Sequence, residues 1–203
     1  MSRFQSRDIC SRIRSEIPAA LSIERYIQQL DDINRDADAL LSNITDDQVN
    51  RQPGKGQWSI AQCFSHLVVS GRVELPHLQH AIRKGRQAGL SSKPPFSYGF
   101  LGNWFVRAMD ENGAIRFRAP RIYMPRTSYF HAADLAADFS CLQQQFKICL
   151  EESSGLDLAK IRVTTAVTKH ITFSLGQAFA LLLAHERRHV HQAYRVRSRL
   201  VVG

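Results

Sequence analysis

Four stretches of this chain repeat apolar residues at intervals of three and four, a period that confines the fold to packed amphipathic helices. Residues 22–44 put Ile23, Tyr26, Ile27, Leu30, Ile33, Ala37, Leu40, Leu41 and Ile44 on one stripe. Ser22 is the expected cap, and Glu24 suits the positive end of the helix dipole. Residues 45–57, TDDQVNRQPGKGQ, read as a loop from their Pro, Gly and polar content. A second helix is expected from Ile60, because Ser59 and Gln62 form an S-x-x-Q capping box with Trp58 outside it as a hydrophobic staple. Pro76 is expected to kink or interrupt that helix, since its ring removes a donor and crowds the preceding turn. Leu135, Phe139, Leu142, Phe146, Cys149 and Leu150 define a third helix over 131–153, with Gly155 as its stop. The last helix opens at a second capping box, Ser174 and Gln177 with Phe173 as staple, and runs almost to residue 203.

The connections are unequal. Residues 89–130 carry Pro94, Pro95, Pro120, Pro125, Gly99, Gly102 and Gly113, and short helical pieces are expected at 100–109. A crossover this long in a compact domain usually covers something. The run RVTTAV within 156–173 is β-like but isolated, so an extended connector is expected there. The expected architecture is all-α: a four-helix bundle over 21–203, with a long Pro/Gly-containing crossover between helices 2 and 3, preceded by an N-terminal extension at 1–20.

Composition excludes other classes. A 203-residue chain with 44% hydrophobic and 22% charged residues suits one globular domain. No run approaches the ~18 apolar residues of a membrane span, and the basic N-terminus lacks the apolar core of a secretory signal, so a cytoplasmic protein is expected. Cys10, Cys63, Cys141 and Cys149 show no C-x-x-C spacing and read as reduced thiols packed as small hydrophobes. The net charge of +9 comes from scattered basic residues without interleaved aromatics, which argues against a nucleic-acid partner.

Chemistry concentrates in histidines. The last helix carries HERRH at 185–189, and its seam is expected to run Ala178, Leu181/Leu182, His185, His189, Gln192, Val196. Histidines four apart are stacked neighbours that can share one ion. On the second helix His66 falls on the stripe Cys63, His66, Val69/Ser70, Val73. The pattern alone leaves two readings open: metal ligands built into a bundle core, or hydrogen-bonded structural histidines. A protease of the H-E-x-x-H kind needs a ligand further on, and only fourteen residues follow His189. His191 is expected to face solvent, and His77, His80, His131 and His170 to be structural or surface groups.

Three blocks, W-S-x-A-Q-x-x-x-H-L at 58–67, FRAPRIYMP at 117–125 and S-L-G-Q-A-x-x-L-L-x-x-H-E-R-R-H-x-x-Q at 174–192, resemble the DinB/YfiT-like superfamily. That resemblance implies a bundle with a divalent metal, zinc or nickel, bound by His66, His185 and His189. It further implies a hydrolase or thiol transferase acting on a small molecule, and a homodimer; a non-catalytic, stress-related metal-binding module is the alternative. Glu186 is the candidate catalytic base beside the ligands, with a salt bridge or ligand orientation as its competing role. Arg187 and Arg188 are candidates to draw in an anionic substrate or thiol conjugate, and Cys63 either borders the site or packs in the core.

Overall fold

The computed structural model of the protein describes residues 22–94, 96, 98, 120–125, 127, 129–167 and 171–201. The extension at 1–20 and the helical pieces expected at 100–109 lie outside them. The apolar stripes become four long helices: α1 (Ile23–Leu41), α3 (Ile60–Gln87), α4 (Ala132–Glu152) and α5 (Leu175–Val201). A short helix α2 (Asp46–Asn50), a 3-10 turn (Arg121–Tyr123) and two strands, β1 (Arg162–Thr164) and β2 (Thr172–Ser174), complete the described elements. Among the described residues no helix is long and apolar enough to cross a membrane.

α1 and α3 each pack against both α4 and α5. The bundle is therefore square in section, with α1 diagonal to α3 and α4 diagonal to α5. Tyr26, Leu30 and Ile33 from α1, Phe64 and Leu67 from α3, Phe139 and Phe146 from α4, and Phe179 and Leu183 from α5 fill its centre. Each such side chain contributes about 1.5–3 kcal/mol of burial free energy. α3 is buried nearly all round in its first three turns, from Ile60 to Gly71. Gly71 lets α4 come close: a Cβ there would crowd Leu142 and lie 3.0 Å from Phe146 Cζ.

Both S-x-x-Q signals are built. Ser59 Oγ accepts from the Gln62 N–H at 3.2 Å while Gln62 Oε1 accepts from the Ser59 N–H at 2.9 Å. Ser174 and Gln177 repeat the arrangement at 3.2 and 3.1 Å. These boxes fix where α3 and α5 begin, and so which way their histidines point. A third box, Thr45 with Gln48, starts α2 inside the stretch expected to be a loop. Its five residues bury only Val49, too little for an apolar period to show. Ser22, the expected cap of α1, makes no side-chain cap bond; its hydroxyl engages the Glu24 carboxylate instead.

Of the two outcomes expected at Pro76, interruption does not occur: α3 runs through it, and the proline is exposed, so water can serve the carbonyl that lost its donor. The RVTTAV run, expected as an extended connector, begins with a true strand: Arg162–Thr164 pairs antiparallel with Thr172–Ser174, with Val163 opposite Phe173 and Arg162 opposite Ser174. Its partner was hidden because the residues before α5 also carry the capping letters of that helix. Cys63 and Cys149 are buried as expected, but Cys141 is exposed.

Candidate metal centre

α5 turns its histidines differently from the expected seam. Its deepest stripe is Leu175, Phe179, Leu183, Glu186, Val190 and Ala193. Ala178, Leu181, Leu182, His185 and His189 form the adjoining, half-buried stripe. The helix is rotated by one residue, about 100°, from the expectation. The run Leu181–Leu182–Leu183 offers two adjacent apolar tracks, and packing selects the other one. His66, on α3, is 2% exposed.

Because α3 and α5 are neighbours, the three side chains meet. His66 Nε2 lies 3.0 Å from His185 Nε2. The ring of His189 stands 4.6 Å from that of His66 and 4.7 Å from that of His185, centre to centre. One nitrogen from each ring lies within 4.8 Å of the other two, and among the described residues no further ligand joins the group. His66 Nδ1 donates to the Tyr123 carbonyl at 2.9 Å. A carbonyl only accepts, so the His66 proton resides on Nδ1 and Nε2 presents a lone pair.

All three rings are held neutral. Burial lowers the pKa of His66. Burial, then His189, His66 and Arg188, puts His185 well below the ordinary value. Burial, followed by His66 and Arg188, takes His189 down to about 3. His189 Nδ1 is buried without a hydrogen-bond partner. Three neutral imidazoles with an orphaned buried nitrogen among them form a suitable donor set for a zinc-like cation. Its tetrahedral nitrogens sit at about 2.0–2.1 Å from the ion and hence roughly 3.4 Å apart. The 3.0 Å separation and the 4.8 Å limit bracket that spacing.

Trp58, expected as the staple of α3, lies against the histidines. Its ring stacks on His189 at 5.6 Å and 24°, and stands 5.1 Å from His66, walling one side of the group. Glu186 is 2% exposed and belongs to the core stripe. Its Oε1 accepts from Gln143 Nε2 of α4 at 2.6 Å, while Oε2 is buried without a partner. Burial pushes this carboxyl up to about 8. Arg187 is turned inward, donating to Gln29 Oε1 of α1 at 2.8 Å, so it ties α5 to α1. Arg188 is half-buried and close enough to act on both His185 and His189. Cys63 is fully buried and its thiol is pushed up to about 12, the behaviour of a packing residue.

The remaining histidines disperse. His77 is half-buried and His80 exposed. His131 precedes α4 and pairs with Asp46 at 2.8 Å. His191, expected at the surface, is half-buried, and His170 lies outside the described residues. Gln143 and Glu74 carried no signal in the sequence. Tyr123 lies inside the FRAPRIYMP block, but nothing in its spacing shows that its carbonyl reaches His66.

No curated protein matches the sequence. The structure is similar to that of YfiT from Bacillus subtilis, described as "a probable metal-dependent hydrolase with an unusual four-helix bundle topology". The TM-score is 0.58 at 14% identity, over 92% of this chain and 94% of that one. At that identity the likeness speaks for the fold. The family model of the DinB superfamily matches residues 29–193, most of the chain and all three histidines. The chain belongs to the DinB superfamily.

Proposed function

We propose that the protein is a divalent-metal-dependent enzyme, a hydrolase or thiol S-transferase, whose ion is held by His66, His185 and His189. The observation that carries this reading is the convergence of three neutral imidazoles from two helices on one point. Among the described residues the set holds three protein ligands, the number a catalytic zinc site uses, whereas closed four-ligand sets are structural; this favours an enzyme over a passive metal-binding module. When bound, such an ion lowers the pKa of a coordinated water to about 7 and strips the proton from a coordinated thiol. The description of YfiT favours the hydrolase branch.

The chain's own residues prepare that chemistry. The depressed pKa values keep the imidazole lone pairs free of protons at neutral pH. Trp58 excludes water from one flank. Arg188 adds positive charge beside two of the ligands, which suits a small anionic substrate or thiol conjugate. Glu186, between the two α5 ligands in sequence, is the proton acceptor in this reading: Oε1 accepts from Gln143 and Oε2 has no partner. Because burial raises its pKa to about 8, it takes a proton only in its ionised fraction, which grows as the pH rises toward that value.

Elemental analysis tests the reading. Purified protein loaded with zinc or nickel and then desalted is expected to retain about one ion per chain. His66→Ala and the double variant His185→Ala/His189→Ala are expected to retain almost none while keeping helical content. Full metal content in both variants would overturn it.

A further inference from the structure

Glu74 lies on α3, eight positions after His66, or about 12 Å further along the helix axis. Its carboxylate gathers two segments remote in sequence. The Tyr123 hydroxyl, from the crossover between α3 and α4, donates to Glu74 Oε1. The Ala166 N–H, from the turn after β1, donates to the same carboxylate at 3.1 and 3.4 Å. Tyr123 thus lies along α3 with both ends fastened: its hydroxyl at Glu74 and its carbonyl on His66 Nδ1. Glu74 and Tyr123 are both half-buried.

We propose that Glu74 is a positioning residue for the histidine centre: through the Tyr123 hydroxyl it holds the Tyr123 carbonyl on His66 Nδ1, which keeps the His66 Nε2 lone pair aimed at His185. This rests on the three-histidine reading for its consequence, but its structural content stands without a metal. An imidazole whose second nitrogen donates to a fixed acceptor is locked in tautomer and ring orientation. Here the acceptor is a main-chain carbonyl in a short 3-10 turn. Such a turn holds its place only as well as its anchors do, and the Tyr123 side chain is the anchor nearest that carbonyl. The geometry therefore gives the crossover a defined task, the outer support of His66, and makes Glu74 the fixed point of that support. The hairpin joins at the same carboxylate, so the connections before α4 and before α5 are tied together beside the site.

The test uses metal-free full-length protein labelled with 15N-histidine, with the His66 signals assigned by their loss in His66→Gln. In the wild type His66 is expected to show a protonated Nδ1 and an unprotonated Nε2. Tyr123→Phe keeps the ring but loses the hydroxyl, and Glu74→Ala loses the acceptor; both are expected to move His66 to a tautomer mixture. Zinc affinity, measured by competition with a chromophoric chelator, is expected to fall about 10–100-fold in these variants. Glu74→Gln retains an oxygen that can accept from both Tyr123 and Ala166, and is expected to restore the wild-type signature. If Glu74→Ala fails to fold, Tyr123→Phe and Glu74→Gln decide the matter. An unchanged His66 signature together with unchanged affinity in Tyr123→Phe overturns the proposal. A wild type that binds no zinc overturns the metal reading instead, and the nitrogen spectra still decide the role of Glu74.

Discussion

At the scale of residues, the site is defined by how burial shifts protons. His66, His185 and His189 have pKa values below the ordinary value of about 6.5, so between the two values the unfolded chain binds the protons that the folded chain refuses. The histidines' contribution to the stability of the metal-free protein is therefore full above pH about 6.5 and declines as the pH falls from there toward about 3. Glu186 acts with the opposite sign. Its folded pKa is raised from 4.5 to about 8, so its contribution is full below about 4.5 and is lost as the pH rises from there through about 8. Thermal unfolding of metal-free protein from acid to alkaline pH is expected to show both limbs. Glu186→Gln is expected to keep the acid-side decline and lose the alkaline-side one. An unaltered alkaline decline in that variant would show that another group is responsible. Of these residues, His66, His185 and His189 were legible because imidazoles at helical spacing stand out among leucines and valines. The Gln143 partner of Glu186 was not, since a lone glutamine on a helix looks like surface until its neighbour is known.

At the scale of elements, what could be read depended on length. α1, α3, α4 and α5 each sustain their apolar period over several turns, and two of them begin at capping boxes that occur as written. Ser174→Ala is expected to cost about 0.5–2 kcal/mol, because the Gln177 N–H it serves is buried at the start of the helix that carries His185 and His189. α2, β1 and β2 span five, three and three residues, too short for either period to declare itself. Their stability comes from pairing and packing that only the folded chain reveals. The rotation of α5 has the same origin: Leu181, Leu182 and Leu183 are equivalent letters, and contact with α3 and α1 chooses among them. Close packing of α3 against the segment before β1 also reverses a simple expectation at Gly85. Alanine is a better helix former than glycine by about 1 kcal/mol. A Cβ at Gly85 would nevertheless fall 2.6 Å from Ile161 Cγ1, and overpacking of that kind costs about 1–3 kcal/mol. Gly85→Ala is expected to lower the melting temperature; an increase would show that Ile161 gives way freely.

At the scale of the whole molecule, the square arrangement puts the two histidine-bearing helices side by side and leaves α1 and α4 to carry apolar packing. Connections then do what helices cannot: the Arg121–Tyr123 turn covers the outer nitrogen of His66, and Trp58, just ahead of α3, flanks His66 and His189. A long crossover was visible as a concentration of prolines and glycines, but its purpose was not, because it acts through a main-chain carbonyl that no side-chain pattern reports. The central claim is that one cation sits among three imidazoles. The most direct measurement is a crystal structure of zinc- or nickel-loaded protein with data collected at the metal's absorption edge. The account predicts one anomalous peak bonded to His66, His185 and His189, with metal–nitrogen distances of about 2.0–2.2 Å. A peak elsewhere, or a fully loaded crystal in which any of the three rings stands away from the ion, would contradict it.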